Sequence, residues 1–244
     1  MGGKVYLIGA GPGDPELMTL KAARALRMAD VVLVDELVNR GCLAHARSDA
    51  RIIEVGKRGG CRSTPQPFIE KLLVLYSREG KIVARLKGGD PYVFGRGGEE
   101  AEKLKSHGIE VEVIPGVTAG IAAAAAAGIP LTHRDVSHGV TFLTGHTSQA
   151  EPDWKALARS GMTLVVYMGL RNLERIASRL RAAGMDPRTP ACIIENGTLR
   201  TQKQLLSTLG ELSGAGFSGP AIVVIGEVAS FARILAAEPK ARAA

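Results

Sequence analysis

The run from Gly88 to Glu100, Gly-Gly-Asp-Pro-Tyr-Val-Phe-Gly-Arg-Gly-Gly-Glu-Glu, concentrates Asp90, Arg96, Glu99 and Glu100 among five glycines. Residues without a Cβ reach positive φ and bring main-chain N–H and C=O groups against a ligand, while the carboxylates and the guanidinium add hydrogen bonding and acid–base capacity. The run follows an apolar segment at 82–86 and precedes a helix-like segment, so it lies where a strand hands over to a helix. Open α/β sheets bind ligands outside the carboxyl ends of their strands; a surface turn with solvated charges is the plainer alternative. Two more strand-like runs end in charge: 31–34 delivers Asp35 and Glu36, and 52–55 delivers Lys57 and Arg58.

An earlier loop, Gly9-Ala-Gly-Pro-Gly-Asp14, invites a dinucleotide fingerprint, but that pattern needs glycine where Asp14 stands. Pro12 also removes a donor N–H. A pyrophosphate would be poorly served, and a nucleoside-type ligand without phosphate fits the loop better.

The elements that must position these residues are short. Strands are expected over 4–8, 31–34, 52–55, 82–86 and 111–114, and again over 140–143, 164–167, 192–194 and 222–225. Leu17, Leu20, Ala23 and Leu26 recur at helical spacing, and helices are expected over 68–77, 122–127 and 173–183. Alternating strands and helices predict a largely parallel sheet in the first half, and the second half also reads as α/β. The segment 115–120, punctuated by Pro and Gly, is the expected hinge. The fold class is thus two α/β domains, 1–114 and 115–237, with a frayed tail at 238–244. The alanine run at 122–127 would let a neighbouring backbone or a ligand approach closely.

With 31 Lys+Arg against 24 Asp+Glu the net charge is +7, which favours an anionic partner. Aromatic residues are only 4%, too few for the stacking platforms of single-strand binders, so a small, highly acidic substrate suits the charge better than nucleic acid. No apolar stretch reaches the ~18 residues of a membrane span. The start of the chain does not resemble a secretory signal, and a cytoplasmic location is expected. Cys42, Cys61 and Cys192 are far apart and in no C-x-x-C pair, and the five histidines lack ligand spacing, so neither a disulfide framework nor a metal site is expected.

With both glycine loops in view, the chain resembles the uroporphyrinogen-III C-methyltransferases of the tetrapyrrole methyltransferase class. The resemblance is carried by Val5-Tyr-Leu-Ile-Gly-Ala-Gly-Pro-Gly-Asp14, Val34-Asp-Glu-Leu-Val38, Val55-Gly-Lys-Arg58, the run 86–100, Val113-Ile-Pro-Gly-Val-Thr-Ala119, Gly128-Ile-Pro-Leu-Thr-His-Arg-Asp135, Leu143-Thr-Gly-His146, Tyr167-Met-Gly169 and Glu195-Asn-Gly197. The first glycine loop and Gly88-Gly-Asp90 are similar across the wider class. Residues 94–100 with 131–135 and 56–58 point to the uroporphyrinogen branch.

This resemblance implies a cleft between two α/β domains, S-adenosylmethionine as co-substrate, no metal, and a homodimer. It places S-adenosylmethionine against Pro12, Gly88, Gly89, Asp90, Val93, Thr118, Ala119, Met168, Gly197 and Ala221. It makes Asp35 and Lys57 an acid–base pair and Arg96 a further candidate for the proton; Glu36 departs from the family's pattern and would compete with Asp35 for nearby cations. Substrate grip falls to Arg96, Glu99 and Arg134, since guanidinium forks match carboxylates; Glu99, an acid facing an acidic ligand, would orient Arg96 or contact a pyrrole N–H. The implied reaction methylates two ring carbons of uroporphyrinogen III, giving precorrin-2 and S-adenosylhomocysteine, for sirohaem, cobalamin or haem d1. An RNA-modifying methyltransferase and a silent binding protein of the same fold are the alternatives.

Overall fold

A computed structural model describes residues 3–56, 64–146 and 151–232. The chain divides into two compact units, Met1–Ala119 and Gly120–Ala244. Lys57 and the expected tail at 238–244 lie outside the described residues.

The first unit is built on strands β1 (Lys4–Gly9), β2 (Val31–Val34), β3 (Arg51–Glu54), β4 (Val83–Lys87) and β5 (Glu110–Ile114), in the order β3-β2-β4-β1-β5. Every pairing is parallel. Parallel strands covered on both faces read as continuous apolar runs, and Val31–Val34 is buried at all its positions. Side-chain alternation splits the core. Ile8, Val32, Val34 and Leu86 pack with Leu26 of α1 (Leu20–Met28). Leu7, Leu33 and Val83 pack on the other face with Leu73 of α2 (Gln66–Arg78) and Leu104 of α3 (Gly97–Ser106).

Helix α1 departs from the expected spacing. Asp14 caps a 3-10 turn at Pro15–Leu17, Thr19 then caps α1 by accepting from the Ala22 N–H, and the break leaves Leu17 outside the helix. Leu20, at its first position, is 81% exposed, and the face that packs inward is Ala22, Ala23, Ala25 and Leu26.

The second unit carries β6 (Val140–Thr144), β7 (Thr163–Tyr167), β8 (Pro190–Glu195), β9 (Lys203–Thr208) and β10 (Ala221–Ile225), in the order β6-β7-β10-β8-β9. Only β6 and β7 are parallel; β10 runs antiparallel to both β7 and β8, and β9 antiparallel to β8. Helices α4 (Ala119–Ala126), α5 (Trp154–Arg159) and α6 (Leu173–Ala182) complete the α/β pattern. Strand β9 escaped sequence reading because it is an edge strand of sequence Lys-Gln-Leu-Leu-Ser-Thr with exposed positions, so no buried apolar run marks it. Among the described residues no helix is long and apolar enough to cross a membrane.

Three loops of the first unit meet main chain to main chain. A Cβ added at Gly9 would lie 2.5 Å from the Gly116 nitrogen and 2.7 Å from the Gly89 carbonyl oxygen. Neither atom is the free end of a side chain. Overpacking of this kind costs about 1–3 kcal/mol, so Gly9→Ala should lower the urea unfolding midpoint with an unchanged denaturant slope. An unaltered midpoint would show that the loops move apart without cost.

Candidate functional site

The carboxyl ends of β4, β1 and β5 stand side by side in the sheet order, and the loops that leave them are tied together. Gly11 and Gly89 form a bridge in which the Gly11 N–H donates to the Gly89 carbonyl at 3.2 Å and the Gly89 N–H to the Gly11 carbonyl at 2.7 Å. Both glycines sit at positive φ, +85° and +67°, where a side chain would be strained. Asp90 accepts from the Tyr92 N–H at 2.8 Å and, through its other oxygen, from the Gly116 N–H at 3.1 Å. It therefore fixes the β5 loop against the β4 loop, and each oxygen keeps further lone-pair capacity. Ala119 and Thr118 border Gly89: a Cβ there would be 3.7 Å from the Ala119 nitrogen. Pro12 and Val93 are half-buried on the same two loops, and the Asn39 amide donates to the Gly13 carbonyl at 2.8 Å. The structure thus brings Pro12, Gly88, Gly89, Asp90, Val93, Thr118 and Ala119 onto connected loops.

Beneath the glycine run lies a charge cluster. Arg85 and Lys87 occupy alternate positions of β4 with Val83, so both face α2 and α3. Arg85 donates through Nε to Glu100 Oε1 at 3.1 Å and through Nη2 to Asp35 Oδ1 at 2.5 Å. Lys87 Nζ lies 3.2 Å from the same Glu100 oxygen and 3.6 Å from Asp35 Oδ2, and the Gln66 amide donates to Glu100 Oε1 at 3.0 Å. Arg85, Lys87 and Glu100 are 1%, 3% and 0% exposed, whereas the Asp35 side chain is 29% exposed. Burial pushes the Lys87 ammonium below its ordinary pKa, helped by the Arg85 charge and opposed by Glu100 and Asp35. Glu36 is exposed; among the described residues, Arg85 and Lys87 pair with Asp35.

Arg96 adopts φ +58° at the N-terminus of α3. Its Nε and Nη2 grip both Glu99 oxygens, at 2.9 and 2.6 Å. This fork holds the Glu99 carboxyl below the usual range and raises Arg96. Arg134 is exposed in the turn between the bridged residues His133 and Ser137 of the second unit. Lys57, the proposed partner of Asp35, lies outside the described residues.

In the second unit, Met168 follows β7, Gly197 follows β8, and Ala221 starts β10. Because Ile222 pairs with Tyr167 and Ala221 with Glu195, the antiparallel register gathers all three at one end of the sheet. Met168, Asn196 and Thr198 all have positive φ, conformations that cost non-glycine residues about 1–3 kcal/mol and cluster at functional sites. Met168 is 54% exposed rather than core. The alanine helix α4 packs closely here: the Gly120 N–H donates to the Tyr167 hydroxyl at 2.8 Å, and a Cβ on Gly197 would be 2.5 Å from that of Ala123. Glu195 Oε1 accepts from the Ser218 and Gly219 N–H groups at 2.7 and 2.5 Å, and these bonds hold its carboxyl below the ordinary 4.5.

Sequence reading missed Arg85, Lys87 and Gln66 and the part Glu195 plays. A signal was present for two of them, since cations two residues apart in a fully buried strand must find buried anions. Glu195 carried none, because its partners are backbone groups some two dozen residues later.

Among the described residues no group of three or more His, Cys, Asp or Glu side chains could hold a metal. Residues 4–213 match the family model of the tetrapyrrole (corrin/porphyrin) methylases. A uroporphyrinogen-III C-methyltransferase of Pseudomonas aeruginosa is 59% identical over 233 residues, covering 93% of this chain and 95% of that protein. A sirohaem synthase of Neisseria meningitidis is 51% identical over 93% of this chain, which spans 48% of that longer protein. The crystal structure of a uroporphyrin-III C-methyltransferase of Thermus thermophilus complexed with S-adenosylhomocysteine superimposes with a TM-score of 0.81 at 43% identity, covering 93% of this chain and 99% of that one.

The Glu195 bonds set a pH response in the second unit. A carboxyl whose folded pKa is depressed stabilises fully above its unfolded value, near 4.5, and loses that contribution as pH falls through the folded value. Amide exchange at Ser218 and Gly219, corrected for intrinsic rates, should therefore be slow above pH 5 and accelerate as the solution is acidified below 4.5. Protection that is flat across this range would mean that the carboxylate does not hold the loop.

Proposed function

Since this chain belongs to the tetrapyrrole (corrin/porphyrin) methylase family, we propose that it transfers methyl groups from S-adenosylmethionine to two ring carbons of uroporphyrinogen III. The products are precorrin-2 and S-adenosylhomocysteine, intermediates and by-product on routes to sirohaem, cobalamin or haem d1. The observation that carries the reading is the glycine-lined strand end around Gly88-Gly89-Asp90, in a chain 43% identical to an enzyme solved with S-adenosylhomocysteine. The fit is steric: at Gly89, φ +67°, a Cβ would meet nothing closer than 3.7 Å, so there is space beside this strand end for a nucleoside or an amino-acid moiety.

In the first unit the residues proposed to contact S-adenosylmethionine are Pro12, Gly88, Gly89, Asp90, Val93, Thr118 and Ala119. In the second they are Met168, Gly197 and Ala221. Bound there, S-adenosylmethionine supplies an electrophilic methyl on a good leaving group, so the protein's main work is alignment, which contributes up to roughly 7–11 kcal/mol. Arg96 and Arg134 are proposed to hold substrate carboxylates, and Glu99 to orient Arg96, a role supported by its two-point grip. Once the pyrrole carbon has bonded to the methyl, a proton must leave the macrocycle. Asp35, Lys57 and Arg96 are the residues proposed to handle it; for Asp35 the support is a carboxylate at the end of β2, part-exposed on one side and held by Arg85 on the other. The reading extends to a homodimer in the cytoplasm, supported by the family resemblance.

Anaerobic incubation with uroporphyrinogen III and S-adenosylmethionine should add two methyl groups to the tetrapyrrole, read by mass. Asp90→Ala removes the carboxylate that ties the loops of β4 and β5. The loss of hydrogen bonds to a charged group, about 1.5–3 kcal/mol, should weaken S-adenosylhomocysteine binding about 10- to 100-fold in a titration. Binding without methyl gain would point to a different acceptor, and no binding would overturn the reading of both glycine loops.

A further inference from the structure

The buried cluster beneath the glycine run has an arrangement that packing alone does not require. Glu100 is fully buried on α3, yet one of its oxygens, Oε1, receives Arg85 Nε, Lys87 Nζ and Gln66 Nε2, while Oε2 has no hydrogen-bond partner among the described residues. Both cations then reach past Glu100 to the part-exposed Asp35, Arg85 at 2.5 Å and Lys87 at 3.6 Å, one to each carboxylate oxygen. Two cations and two anions balance, but replacing buried ion pairs by apolar residues is often neutral or stabilising, so stability gives no reason to keep four charges here. Orientation does. The Arg85 guanidinium, gripped at Nε by a fully buried acid and with Nη1 within 3.5 Å of the Leu33 and Leu86 carbonyls, presents its Nη2 to Asp35.

We propose that Glu100 is a positioning residue for Asp35, acting through Arg85 and Lys87: it holds both cations in place so that the Asp35 carboxylate keeps one orientation at the end of β2. Glu100 itself is sealed from solvent and touches no reactant. The proposal rests on the reading of Asp35 as a group that handles the macrocycle proton. It predicts a larger effect on turnover than on binding, because the Arg96 and Glu99 side chains grip each other and not the cluster, whereas Asp35 is bonded to it directly.

The test is a double-mutant cycle between Glu100→Gln and Asp35→Asn, with S-adenosylhomocysteine binding and single-turnover methylation read for each protein. Glu100→Gln keeps the side-chain shape and should lower kcat by about tenfold or more, since a misplacement of about 1 Å costs on the order of 10²-fold. KM for uroporphyrinogen III and the S-adenosylhomocysteine dissociation constant should stay within about twofold of the parent. The pair Glu100→Gln with Asp35→Asn should be no slower than Asp35→Asn alone. Should Glu100→Gln fail to fold, Glu100→Gln combined with Lys87→Met removes one charge of each sign and keeps the cluster neutral; the same cycle is run from it. Losses that multiply in the double variant would overturn the positioning role and leave the Asp35 reading standing. Full turnover by Asp35→Asn would instead remove the acid–base reading itself, and the proposal with it.

Discussion

The strand-end loops of the first unit depend on three backbones approaching without side chains between them. Gly9, Gly89 and Gly116 come from loops about eighty and about thirty residues apart in sequence, and any Cβ at Gly9 would collide with main-chain atoms of the other two. The mutual hydrogen bonds of Gly11 and Gly89, and the Asp90 carboxylate on the Gly116 N–H, lock that approach. The consequence is chemical. These strand ends are lined by main chain whose donors and acceptors are fixed by one another and by Asp90.

The glycine run can carry charge because its foundation is charged and dry. Alternation along β4 turns Leu86 and Ala84 to one core and Arg85 and Lys87 to the other. Desolvating four ionisable groups is costly unless each finds opposite charge, and the helix that follows the glycine run supplies Glu100 for that purpose. The same thirteen residues thus provide the open main chain above and the buried counter-ion below. In the second unit a comparable economy operates through main-chain partners. Alanines of α4 and Gly197 allow helix and strand end to touch, Tyr167 caps Gly120, and Glu195 gathers the loop that leads into β10.

The sequence by itself determined the α/β class, the strands of the first unit, the two glycine loops and the family, because each is written in contiguous residues: β-branched runs, positive-φ glycines and charges at strand ends. It also singled out Arg96 and Glu99, neighbours in one helical turn, and left open whether Glu99 orients Arg96 or contacts a ligand. Tertiary structure alone decided how these pieces are used. It showed Asp90 engaged with backbone N–H groups, Leu20 outside the core, β9 at an edge, the antiparallel register that gathers Met168, Gly197 and Ala221, and Asp35 joined through Arg85 to Glu100. The physical reason is that a buried charge or an unpaired strand is satisfied by whichever group the fold places within about 3 Å, and that partner can stand anywhere in the chain: Asp35, Gln66, Arg85 and Glu100 meet from two strands and two helices that no local pattern links.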